Sequence, residues 1–137
     1  MAFLTAMNAE ELRTRTKEFS LRVLKLVAAL PENAQGRAIV NQLIRSRTSV
    51  GANYRAACRG RSRREFIAKL GVVEEEADES AFWMELIIEG EMIKEKLVSP
   101  LLKEARELVA IMAKSRISAT KSLRGSANRQ SAIGNRQ

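Results

Sequence analysis

SRREFIAKLGVVEEEADESAFWMELIIEGEMIKEKL, Ser62–Leu97, is the stretch on which the fold turns. It contains no proline and recurs in apolar steps of three and four, the spacing of one helix face. Phe66, Leu70, Val73, Ala77, Met84 and Ile88 share one side. Ser62 and Glu65 stand at capping-box spacing, so Ser62 opens the helix. The stretch predicts a single long helix reaching about Leu97. A helix with one apolar side must bury it against other elements.

Working outward, Leu12, Thr16, Phe19, Val23, Leu26 and Leu30 form an earlier stripe. Asn8 is a suitable N-cap, Glu10 and Glu11 suit the first turn, and Pro31 ends the helix. A second helix is expected from about Ala34 to Arg59, with Ile39, Val40, Leu43, Val50, Tyr54, Ala57 and Cys58 facing the core; Gly60 breaks it. Ser99 and Pro100 read as N-cap and first residue of a fourth helix, with Leu101, Ala105, Leu108 and Met112 inward. Four helices with short connections predict an all-α, antiparallel up-and-down four-helix bundle over residues 1–117. The remainder, 118–137, is small, polar and basic, with the imperfect repeat SANRQ then SAIGNRQ. Its composition predicts a disordered basic tail.

Composition narrows the function. The 137 residues suit one domain, and the net charge of +8 admits a polyanionic partner, although a merely basic soluble protein has the same charge. Histidine is absent and Cys58 is the only cysteine, so neither a zinc site nor a disulfide is expected. No cofactor motif occurs, and acid–base chemistry near neutral pH lacks its usual residue. Cys58 lies on the apolar stripe and reads as a core residue. No apolar run is long enough to span a bilayer, and the start, MAFLTAMNAEEL, is a poor signal peptide. No membrane partner is expected, and a reducing cytoplasm is the simplest compartment.

Charge is segregated. No acid lies between Glu32 and Glu65, an interval that carries Arg37, Arg45, Arg47, Arg55, Arg59, Arg61, Arg63 and Arg64. Residues 65–95 carry ten acids against Lys69 and Lys94. These acids could pair with the arginines within or between subunits. Arg55, Arg59, Arg61, Arg63 and Arg64 are the candidate nucleic-acid contacts, since guanidinium forks suit phosphate. Opposite the core side of the second helix lie Arg45, Ser49, Ala52, Ala56 and Arg59, flanked by Asn53, and the small residues would admit another backbone. Opposite the core side of the third lie Val72, Phe82, Trp83 and Leu86, with Glu75 and Glu79 as acids for the arginines. Either a second copy covers this face, or the first helix and loops do.

RSRTSVGANYRAACRGRSRREF, Arg45–Phe66, resembles the signature of the 23S rRNA intervening-sequence proteins, also called the four-helix-bundle protein family. The likeness rests on Arg45–Ser46, Ser49–Val50, Asn53, Arg61–Ser62 and Glu65–Phe66, and continues through KLGVVEEEADESAFWMELI, Lys69–Ile87. Many members have Ile-Ala-Glu-Gly after the asparagine; here Tyr54–Gly60 is YRAACRG, with Arg59 in place of the acid. The resemblance implies a four-helix bundle assembling as a homopentamer. It also implies kinship with the accessory variability protein of diversity-generating retroelements, a basic pentamer that binds a reverse transcriptase and nucleic acid. The resulting expectation is a non-enzymatic oligomeric adaptor binding RNA or DNA backbone. The alternative is a protein-binding scaffold, for example a reverse-transcriptase partner, whose arginines serve subunit assembly.

Overall fold

The structure, a computed structural model, describes residues 8–134, leaving aside the side chains of residues 46–49. The element order is α1 (Ala9–Ala28), α2 (Ala34–Cys58), α3 (Arg63–Glu89) and α4 (Glu95–Gly134). Each of α2 and α3 packs on the helix before and after it, and a slighter α1–α4 contact closes the circuit. The chain is an all-α four-helix bundle.

Side-chain caps open three helices, two of them, Asn8 and Ser62, as expected. Glu11 N–H donates to Asn8 Oδ1 at 2.9 Å, and Asn8 N–H donates back to the Glu11 carboxylate. Gly36 N–H donates to Asn33 Oδ1 at 2.8 Å, and Glu65 N–H to Ser62 Oγ at 3.1 Å. The core is the sum of the four stripes. Phe19, Val23, Leu43, Val50, Leu70, Val73, Met84, Ile87, Leu108 and Met112 are fully buried. Thr16, buried in the apolar stripe of α1, donates its hydroxyl to Leu12 O at 2.8 Å, so no donor is orphaned.

Arginine–glutamate links hold α4 to its neighbours. Arg15 of α1 forks onto Glu104, Nε to Oε2 at 2.9 Å, and also reaches Glu107. The hydrogen bond from Glu104 pushes the Arg15 guanidinium above its ordinary value. From α3, Glu85 meets Arg106 and Glu74 meets Arg116, each at 2.9 Å.

Two sequence expectations are corrected. The third helix stops at Glu89 rather than near Leu97. Glu91 takes φ 53°, Glu91 N–H donates to Ile88 O, and Met92 N–H to Ile87 O, both at 3.0 Å. This is a Schellman stop with glutamate at the left-handed position. Met92 and Ile93 beyond it still pack on the core, which extended the apolar pattern past the true end. The fourth helix begins at Glu95, so Ser99 and Pro100 lie inside it; Ser99 Oγ donates to Glu95 O at 2.9 Å. Pro100, in the second turn, has no N–H for the Lys96 carbonyl, and its ring crowds that carbonyl. The helix α4 runs on to Gly134, through most of the basic segment 118–137; residues 135–137 lie outside the described residues. The last residue of α4 to be buried is Ala119. Beyond it the helix propagates from a turn already formed, which needs no apolar burial.

A left-handed φ costs a non-glycine residue about 1–2 kcal/mol. Glu91→Gly should therefore raise the free energy of unfolding by about 1 kcal/mol in a urea titration. An unchanged or lower midpoint would show that the Glu91 turn is not strained.

Candidate nucleic-acid and subunit interface

The core residues of α2 fix its rotation, turning Ala52 and Ala56 outward. Gly51 lets α1 approach: a Cβ there would meet Ser20 Oγ at 3.1 Å and the Thr16 carbonyl oxygen at 3.3 Å. The outer surface of α2 is therefore sunken, flanked by α1 on one side and the start of α3 on the other. The result is a groove of about 1070 Å³. Gly51, Ala52 and Ala56 floor it, Arg13, Lys17, Arg55, Arg59 and Lys69 bring cations, and Glu65 is its one carboxylate.

The structure thus brings together residues that the sequence reading assigned to two roles. Arg55 and Arg59, expected as phosphate contacts, share one groove with Ala52 and Ala56, expected at a subunit interface. Arg61, Arg63 and Arg64 lie apart, exposed at the α2–α3 turn and the first turn of α3. Among the described residues, Arg55, Arg59, Arg61, Arg63 and Arg64 make no ion pair. Arg45 is exposed and Asn53 half-buried, neither lining the groove; the side chain of Ser49 lies outside the described residues. Arg13 and Lys17 of α1 and Lys69 of α3 escaped the sequence reading. They carry no motif and meet α2 only through packing.

The second face of α3 divides. Val72 is 39% and Phe82 50% exposed, with Glu75 and Glu79 exposed between them. Trp83 and Leu86 are half-buried against the core. The face was expected to be covered either by a second copy or by the chain itself; the chain covers Trp83 and Leu86 and leaves Val72 and Phe82 exposed. Phe82 and Trp83 pack edge to face with centroids 5.0 Å apart, and Trp83 Nε1 donates to Glu79 at 3.5 Å. The acids of α3 that find arginines within the chain, Glu74 and Glu85, find them on α4. Glu75 and Glu79 have no cation partner among the described residues.

Residues 10–114 match the family described as 23S rRNA-intervening sequence protein. The chain belongs to that family. A crystal structure of a protein of unknown function from the S23 ribosomal protein family of Bacteroides thetaiotaomicron is similar to it. The two are 30% identical with a TM-score of 0.71, over 77% of this chain and 97% of that one. No curated protein matches.

The family assignment brings no residue-level chemistry. Among the described residues, no group of three His, Cys, Asp or Glu side chains could hold a metal ion. No helix among them is long and apolar enough to cross a membrane. Tyr54 is buried beside half-buried Cys58; burial first, then Cys58, pushes its phenol above the ordinary range, so it stays neutral within the core.

Phe82 and Trp83 can be separated by mutation. Trp83→Ser removes a side chain packed on the core and should cost about 2–3 kcal/mol in urea unfolding. Phe82→Ser, with half its surface already in water, should cost less than about 1 kcal/mol of the fold. Equal losses would mean that Phe82 belongs to the core.

Proposed function

We propose that this protein is a non-enzymatic, self-associating adaptor that holds RNA or DNA by its phosphate backbone. The observation that carries the reading is the grouping of cations without carboxylates. Five line the groove and three more stand at the turn beside it, against Glu65 alone. Unneutralised guanidinium groups at one end of a bundle attract polyanions and release their counterions. Base-specific readout is not part of the proposal: Phe66, which lies beside Arg61 and Arg63, is half-buried against the core rather than free to stack on a base.

Self-association draws on the same segregation. The α3 stripe offers Glu75, Glu79 and exposed Phe82; the groove offers Arg55, Arg59 and a floor of small residues. The two are complementary in charge and relief, so one copy's stripe fits the next copy's groove. In that arrangement the groove serves assembly, and the turn arginines Arg61, Arg63 and Arg64 remain for phosphate. Five copies is the number suggested by the resemblance. The alternative, a protein-binding scaffold such as a reverse-transcriptase partner, keeps the assembly and drops the nucleic acid.

The decisive experiment titrates mixed-sequence RNA and DNA at two salt concentrations. The expected result is binding at low salt that weakens steeply as salt rises, with a slope reduced by about two to three on replacing Arg61, Arg63 and Arg64 with Gln. No binding at low salt overturns the nucleic-acid part and leaves the scaffold. Light scattering tests the assembly. A mass well above 15.3 kDa is expected, falling to that value in Ala52→Glu. Arg59→Glu should also dissociate the assembly, and adding Glu79→Arg should restore it. A wild-type mass near 15.3 kDa at micromolar concentration rejects self-association.

A further inference from the structure

The last third of α4 has no packing role. The helix is 40 residues long, against 27 for α3, and residues 120–134 include no buried side chain. At 1.5 Å per residue this is an arm of about 22 Å. The family match ends at residue 114, so the arm lies beyond the shared bundle.

Its charge is one-signed. Glu107 is the last acid of the chain, and Lys121, Arg124 and Arg129 follow on the arm, all exposed. Lys121, Gly125 and Arg129 stand at i, i+4 and i+8, one face of a helix. Arg129 Nη1 lies 3.7 Å from the place a Cβ on Gly125 would take, so its side chain lies back along that face. Arg124 is adjacent. The base of the arm meets the α2–α3 turn, where Arg63 Nη1 donates to Ser122 Oγ at 3.2 Å. Turn and arm therefore occupy the same end of the bundle.

We propose that residues 120–134 form a nucleic-acid arm that lies along the backbone of a duplex, with the turn arginines closing on the same phosphates from its base. The inference rests on the nucleic-acid reading above and adds a second, separable contact. A duplex is favoured over a single strand for two reasons. No aromatic residue occurs after Trp83, so the arm cannot stack on unpaired bases. The arm is helical and carries mostly small or polar residues between its cations, suited to a surface whose phosphates are already fixed. An unsupported helix of this length is marginal in water, so a bound polyanion should also increase its helicity.

The test uses the full chain and a variant carrying Lys121→Gln, Arg124→Gln and Arg129→Gln, exposed positions whose change leaves the core untouched. Each is titrated with duplex RNA, duplex DNA of the same sequence and one of its single strands, across a salt series. Loss of three phosphate contacts lowers the log–log salt slope by about 2.7 and the duplex affinity on the order of 100-fold at 0.15 M salt. Added duplex should raise the helical circular-dichroism signal of the wild type more than that of the variant. The tighter of the two duplexes identifies the source of the backbone. If the full chain binds no nucleic acid, both readings fall. If it binds, and the turn variant loses binding while the arm variant does not, only the arm is overturned. A tighter single strand, or an arm variant whose main change is a lower mass in light scattering, also overturns it.

Discussion

Burial of one stripe on α3 sets the rest of the molecule. Leu70, Val73, Ala77, Met84 and Ile87 are sealed between α2 and α4, and a helix whose side chains turn about 100° per residue then has no rotational freedom left. Val72, Glu75, Glu79 and Phe82 must face away. The same constraint acts on α2, where Leu43, Val50 and Tyr54 point inward and so place Ala52 and Ala56 outward. Both surfaces proposed for self-association are thus consequences of the core, in the sense that no independent device positions them.

The core and its caps were legible in the sequence because they depend on local periodicity and on short polar signals. Every residue of the expected α1 stripe is buried, and Asn8 and Ser62 cap as their spacing predicts. The stops were less legible. Glycine marks a left-handed stop because it has no Cβ, but here the left-handed residue is Glu91, one place after Gly90. Ser-Pro is a strong start signal, yet the helix begins a turn earlier, at Glu95, and takes Pro100 into its second turn. The extent of α4 is hard to read from sequence for a related reason. Composition reports whether a segment can bury apolar area, and this one cannot; it does not report whether a neighbouring helix has already been nucleated.

The site divides in the same way. A run of arginines without acids is a property of sequence, and the turn residues Arg61, Arg63 and Arg64 were visible for that reason. The groove is a property of packing. Its floor was foreseen from helical geometry, but Arg13 and Lys17 join it from α1, which Gly51 allows to close on α2, and Lys69 joins it from α3. The ion pairs sharpen the picture by where they fall. Glu74, Glu85, Glu104 and Glu107 are engaged with Arg15, Arg106 and Arg116, all on contacts of α4. The charges left over are the basic outer side of α2 and the acidic outer side of α3.

That separation constrains the proposed assembly. Groove and stripe lie on different helices, so where each meets a separate neighbour their contact is head to tail. Head-to-tail contacts close into a ring or run on as a filament, according to the angle between the two surfaces. The outer sides of α2 and α3 belong to adjacent corners of the bundle, about a quarter turn apart in an ideal square arrangement. Contact faces about 90° apart close into a ring of about four copies. In such a ring the α2–α3 turns and the α4 arms all emerge at the same end, because every copy is related by rotation about one axis. Cations too few in one subunit for tight binding would then act together on one polyanion, and affinity would rise through proximity without any new contact. Assembly through the groove and phosphate binding at the turn are on this view successive uses of one charge segregation, and the first makes the second strong.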